Sequence, residues 1–381
     1  MARRPVFQEV TETTPRATPP AGGMIDAGNR GARGAIRLWL LVIFVLVVAM
    51  IALGGATRLT GSGLSITEWK PVTGAIPPMD PAAWQAEFDK YKLIPQFTEV
   101  NPDMDLGGFK QIYWWEWSHR LLGRLIGLVW AVGFFGFLVA RQIPVGWTPR
   151  LLLLGALGGA QGAIGWWMVH SGLSGDLVRV ASYRLAIHLG LAFAILGLIV
   201  WYVLSLARPE AQLMRARRAG EDKLFSMTTG LLHLTFLQIL LGALVAGIDA
   251  GRTYTGWPTM GGEWIPAEIW DTTLGWRNFF ENPALVQFIH RMTGYLLTIF
   301  GLVVFLRSRR SPHPVTRGAY GVMLAALAVQ ILLGVMNVLH ASPLPLALAH
   351  QLGAVALFTM ILRARHHARY PYETSVRGTV R

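Results

Sequence analysis

The sequence predicts an all-α integral membrane protein, with eight transmembrane helices arranged as two tandem four-helix bundles related by internal duplication. Three observations carry this. Of 381 residues, 53% are apolar and 14% are charged, where a soluble domain carries roughly 25% charge. Apolar stretches long enough to cross a bilayer, which takes about 20 residues, recur eight times. Chemically distinctive residues also recur between the two halves at offsets of 162 to 171 positions.

The spans are expected near 38–57, 121–140, 151–170, 185–206, 227–248, 285–306, 319–340 and 346–362. The last one is short and follows Pro343 and Pro345. Residues 1–36 are polar, rich in Pro and Gly between Pro15 and Gly23, and read as a disordered cytoplasmic tail. Glu9, Glu12 and Asp26 argue against a cleaved transit peptide, and the first apolar run is too long for a signal-peptide core. Residues 37–206 then form an N-terminal four-helix half, 207–224 a cytoplasmic linker, 225–365 a C-terminal half and 366–381 a second cytoplasmic tail.

One side of this arrangement collects 22 basic and 7 acidic residues, and the other 12 basic and 14 acidic. The positive-inside rule puts both termini in the cytoplasm, in a bacterial inner membrane. The net charge of +13 and the pI near 10.6 therefore read as a topology signal and a contact for anionic lipid, with no nucleic-acid partner. Trp and Tyr crowd the outer margins, among them Tyr113, Trp114, Trp115 and Trp117, as an interfacial aromatic belt does. Cysteine is absent. That excludes disulfides, thiolate zinc sites, iron–sulfur clusters, covalent c-type haem and cysteine nucleophiles.

The repeat is chemical as well as apolar. Glu116-Trp117-Ser118-His119-Arg120 opens span 2, and Gln287-Phe288-Ile289-His290-Arg291 opens span 6, 171 residues later. Gln161 answers Gln330, His170 answers His340, and His188 in span 4 answers His350 in span 8. The halves should be parallel repeats about an axis along the membrane normal.

His119, His188, His290 and His350 each fall near the outer end of an even-numbered span, and an ionisable residue inside a membrane marks a functional site by default. Two imidazoles facing each other suit haem, which takes one axial ligand per face. A bare divalent metal needs three or four ligands, and only Glu116 stands out as an addition. A proton relay would want carboxylates at several depths. Haem fits best, one per half. Arg58, Arg120, Arg184, Arg252 and Arg291 lie at the same face as candidate propionate contacts, although snorkelling to head groups explains each equally well. Glu116 stands three residues before His119 and shares its helix face, whereas its counterpart is Gln287. One half thus has an acid suited to proton transfer beside its haem and the other does not. The reaction is expected in the N-terminal half.

Further stretches complete a resemblance. They are Gly54-Gly55-Ala56-Thr57-Arg58-Leu59-Thr60-Gly61-Ser62-Gly63-Leu64-Ser65, Trp69-Lys70-Pro71, Gly74-Ala75-Ile76-Pro77-Pro78, Gly165-Trp166-Trp167-Met168-Val169, Tyr183-Arg184-Leu185-Ala186-Ile187-His188-Leu189 and Ala349-His350-Gln351. With the two His-Arg openings, and in this order from about Gly54 to Arg365, the chain resembles the haem A synthase family, in its cysteine-free proteobacterial and mitochondrial-like subgroup. The resemblance implies haem O as substrate and haem A as product, its ring methyl being oxidised to a formyl group by successive hydroxylations with water as oxygen source. It implies that Glu116 is catalytic, that His119 and His188 flank the substrate haem, and that His290 and His350 hold a haem b. It implies haem O synthase and cytochrome oxidase assembly as partners. Some members carry cysteine pairs in the outer loops, and this chain does not. The electron acceptor stays unassigned and a homo-oligomer stays open.

Two rival readings compete. A two-haem b-type electron carrier, like a quinol oxidoreductase, would place haems near both faces, whereas all four histidines fall on one. A transporter of parallel repeats would want polar midplane residues, for which Gln161, Gln330 and Asn337 are meagre.

Overall fold

The computed structural model describes residues 32–173 and 177–372. The outer parts of the two expected tails, 1–31 and 373–381, lie outside the described residues. In chain order the helices are α1 (Arg33–Leu59), α2 (Pro81–Tyr91), α3 (Leu106–Val139), α4 (Thr148–Leu173), α5 (Ser182–Leu206) and α6 (Glu210–Arg218). They continue with α7 (Asp222–Gly247), α8 (Asn278–Glu281), α9 (Pro283–Ser308), α10 (Pro314–Leu339) and α11 (Leu344–Arg369). Eight of them, α1, α3, α4, α5, α7, α9, α10 and α11, are long and apolar enough to cross a membrane. No strand occurs among the described residues, only the isolated bridge between Met260 and Glu263.

Local chemistry sets several helix starts. The Asp80 carboxylate accepts from the Ala83 amide at 2.8 Å ahead of Pro81, and that of Asp105 accepts from the Gly108 amide at 2.7 Å. Asn282 Oδ1 accepts from the amides of Ala284 and Leu285, with Pro283 at the first helical position. Such caps satisfy amides that the first turn leaves unpaired.

Several boundaries differ from expectation: α1 starts at Arg33, inside the expected tail, α11 runs to Arg369, past the expected end at 362, and two further differences have a clear physical reason. Helix α3 starts at Leu106, not near 121, because its outer turns are amphipathic and have their own partner. Phe109 and Tyr113 pack with Trp84, Phe88 and Tyr91 of α2 and with Leu64, Ile66 and Ile94 into a small core outside the membrane. Tyr113 meets Trp84 edge-on at 5.0 Å. It is therefore a core residue of the long outer loop and not part of an aromatic belt. The 207–224 segment also holds a helix, α6, whose Leu213 and Ala216 are buried while Arg217 and Arg218 face out.

Helix neighbours recur along the chain. In the first half α1 packs on α3 and α5, and α4 packs on α3 and α5. In the second, α7 packs on α9 and α11, and α10 packs on α9 and α11. The halves meet where α5 packs on α7 and α11 and where α1 packs on α11. Phe193 and Phe358 touch edge-on there at 5.6 Å, and α5 is the most buried of the eight. Gln351 of α11 donates to the Ile51 carbonyl of α1 at 2.6 Å. It comes so close to Gly55 that a Cβ on that residue would stand 2.1 Å from Gln351 Oε1. At the outer end Asp249 accepts from Arg58 at 2.9 Å and also from Arg179. Burial pushes the Asp249 carboxyl up, but the two guanidiniums more than reverse this and hold it below the usual carboxylate range.

Candidate functional site

The four histidines form two pairs. His188, His290 and His350 sit about two turns into α5, α9 and α11, while His119 lies deeper along α3 because that helix begins further out. His119 and His188 are near enough to sense each other's charge, and so are His290 and His350. Each half therefore contributes one pair, both toward the same membrane face.

Every ring rests against a glycine of the preceding long helix. A Cβ on Gly54 would stand 3.1 Å from His119 Nε2, and one on Gly165 would stand 2.9 Å from His188 Cε1. The corresponding distances are 3.1 Å from Gly242 to His290 and 2.9 Å from Gly334 to His350. A side chain at any of these glycines would push the imidazole aside. One turn before three of the glycines stands a glutamine. The side-chain amides of Gln161, Gln238 and Gln330 donate to the carbonyls of His188, His290 and His350 at 3.0, 2.9 and 3.0 Å. Those of Gln161 and Gln238 also lie 3.2 to 3.4 Å from the ring nitrogens. The sequence held this signal as Gln-x-x-x-Gly at 161–165, 238–242 and 330–334. From sequence alone Gln161 and Gln330 read as repeat markers and as sparse midplane polarity, and Gln238 carries no signal of its own, because glycines in membrane helices usually mean close packing.

This donor set fits haem. No group of three or more His, Cys, Asp or Glu converges among the described residues, so a bare ion would lack ligands, whereas a porphyrin brings four nitrogens of its own. Nδ1 of His350 is buried without a hydrogen-bond partner, an orphaned polar atom at the second pair. The glycines let each imidazole pack directly on the backbone of the neighbouring helix, which fixes its position.

Glu116 is buried on the outer side of the first pair. Its Oε2 accepts from Ser65 Oγ and from the Ile66 amide, each at 2.8 Å. Its Oε1 accepts from Arg120 Nε at 3.0 Å and Nη2 at 2.6 Å. Every partner is a donor, which suits an acceptor-only carboxylate. The surroundings are thus a polar cage of Ser65 and Ile66 from the first outer loop and Arg120 from α3. At the same place in the second half, Gln287 Nε2 donates to the Tyr254 carbonyl at 3.0 Å.

The five arginines gather at the outer end, and most are turned to protein acceptors. Besides Glu116, Arg120 holds the carbonyls of Ile66 and Glu68 at 2.7 and 2.9 Å. Arg291 holds those of Tyr254, Gly256 and Thr259. Both therefore pin an outer loop over a histidine pair, which sequence could not reveal because the acceptors are backbone carbonyls of distant residues. Arg58 bonds Asp249. Arg184 bonds the Trp167 carbonyl at 2.7 Å and lies over its ring. Arg252 is exposed. His233 and His340 bond carbonyls one turn back in their own helices, as packing residues do.

Comparisons with known proteins place the chain in a family. A family profile described as cytochrome oxidase assembly protein matches residues 37–362. The chain is 85% identical over 381 residues, all of both chains, to a protein of Paracoccus denitrificans (strain Pd 1222) named Heme A synthase. It is 60% identical over 380 residues to one of the same name from Ruegeria sp. (strain TM1040), covering 99% of this chain and 100% of that one. A namesake from Cereibacter sphaeroides (strain ATCC 17029 / ATH 2.4.9) is 56% identical over 388 residues. On full-length similarity, matched family profile and paired histidines together, this chain belongs to the haem A synthase family.

Proposed function

We propose that this chain oxidises the ring methyl of haem O to the formyl group of haem A in its N-terminal half. One methyl group and one water yield one formyl group, four protons and four electrons. The observation that carries the reaction is the full-length similarity to proteins named Heme A synthase. Placement in the N-terminal half rests on Glu116, the acid that stands beside one histidine pair and is replaced by Gln287 at the other.

His119 and His188 hold the substrate haem between α3 and α5. Glu116 takes the proton of the attacking water as general base. Ser65 Oγ donates to Glu116 and helps to hold its carboxylate in place. Arg120 keeps Glu116 oriented and closes the loop over the site. Arg58, Arg120, Arg184, Arg252 and Arg291 give the outer rim the positive charge that two propionates require. A haem b held by His290 and His350 supplies one-electron redox chemistry when bound.

The same reading takes the halves, 37–206 and 225–365, as products of duplication, which the recurring helix neighbours support. It puts the protein in a bacterial inner membrane beside haem O synthase and cytochrome oxidase assembly, with anionic lipid at the basic face. Both termini are then cytoplasmic and both haem sites near the periplasm. A reporter inserted in 312–317 or fused after the last residue should read cytoplasmic. A periplasmic signal at either place overturns the topology.

The reaction is tested by haem extraction and chromatography from cells that make haem O, with and without this chain. Haem A should appear only with it. Haem b alone in the purified protein, and no haem A in the cells, would return the electron-carrier reading.

A further inference from the structure

Four helix pairs place a histidine against a glycine, and three of them add a glutamine one turn earlier. At the fourth the sequence reads Met50-Ile51-Ala52-Leu53-Gly54 where the others begin with Gln161, Gln238 and Gln330. The register is the same. The Met50 methyl carbon lies 3.5 Å from where a Cβ on Gly123 would stand, and Gln238 Nε2 lies 3.3 Å from where one on Gly294 would stand. Gly123 and Gly294 each follow their histidine by four residues. Met50 thus fills the space of the amide and offers no N–H. Among the described residues no side chain donates to the His119 carbonyl or to its ring.

The three amides do two things. Each donates a further hydrogen bond to a helix carbonyl, which fixes the main chain of the histidine. At Gln161 and Gln238 the amide also lies against the ring and restricts its rotation. Groups that orient a ligating imidazole commonly matter to metal affinity as much as the ligand does. His290 and His350 both have such a partner, as a resident haem requires. In the other pair only His188 has one, and a product must leave from there.

Resting on the function proposed above, we propose that Met50 makes His119 the loosely seated imidazole of the N-terminal pair, and that product haem is released on this side. Met50 is a positioning residue acting through His119. A neutral hydrogen bond is worth roughly a two- to tenfold change in an equilibrium, so the difference is enough to bias exchange without abolishing binding.

The test is the rate at which purified, haem-loaded full-length protein gives up each haem to excess apomyoglobin, with haem types separated by chromatography. Met50→Gln should slow loss of haem O and haem A two- to tenfold while haem b loss stays as in the wild type. Gln161→Met should speed loss of haem O and haem A by a similar factor, and Gln238→Met should speed loss of haem b alone. Met50→Leu, which also lacks a donor, should release at the wild-type rate. The haem b in the same molecules is the internal reference, because a general loosening of the fold would speed both losses. Unchanged haem O and haem A release in Met50→Gln overturns the proposal, and if that variant does not fold, unchanged release in Gln161→Met does so. Absence of haem O and haem A from loaded wild-type protein would instead overturn the function on which it rests.

Discussion

Glu116→Gln should leave haem O in the purified protein and lower haem A by a factor of about 10²–10⁴. That is the usual worth of a general base, roughly 3–5 kcal/mol of barrier. Glutamine keeps the size and one carbonyl acceptor but cannot take a proton. It also turns an amide toward donors in a cage that contains only donors: Ser65, Ile66 and Arg120. Some loosening of the first outer loop is therefore expected in addition, and the two effects separate by what is measured. If Glu116 only holds the loop, total bound haem falls and haem A falls in proportion. If it is the base, bound haem O persists while the ratio of haem A to haem O collapses. A near-normal ratio in Glu116→Gln would remove Glu116 from the chemistry. Ser65→Ala, which removes one donor and leaves the carboxylate, should lower the ratio by much less.

In the second half, His290→Ala or His350→Ala should abolish the low-spin haem b signal. A six-coordinate iron cannot form with one protein imidazole, and no third His, Cys, Asp or Glu converges to replace the lost one among the described residues. The loss should also destabilise the protein. A ligand present at a thousand times its dissociation constant stabilises the folded state by about 4 kcal/mol, and a haem between α9 and α11 would occupy space that no side chain fills when it is gone. Absorption and electron paramagnetic resonance spectra check the first effect, and a thermal melt checks the second. An unchanged bis-imidazole spectrum in both variants would show that the ligands lie elsewhere.

Sequence revealed the eight spans because apolar length is a local property. It revealed the histidine pairs because the repeat doubles each of them. It failed where partners are distant. The outer turns of α3 look polar until Trp84 and Phe88 of α2 are beside Phe109 and Tyr113. The work of Arg120 and Arg291 was hidden because their acceptors are main-chain carbonyls of loops whose course the sequence does not specify. Gln238 and Met50 were legible in principle, since the Gln-x-x-x-Gly spacing is plain along the chain. The spacing gains meaning only when each glycine is seen against an imidazole.

The hydrogen bond from Gln351 to Ile51 joins residues 300 positions apart. Among the eight long helices α1 leaves the ribosome first and α11 last, so the face of α1 around Gly55 waits for α11 before it is covered. Contacts of such long sequence separation form late, and domains generally fold in the order of synthesis. The N-terminal half can assemble its own four helices early, yet the helix that backs His119 acquires this neighbour only once α11 has been made. A chain interrupted before α11 would expose that face to lipid or to a quality-control protease, so the site becomes complete only in molecules that carry α11.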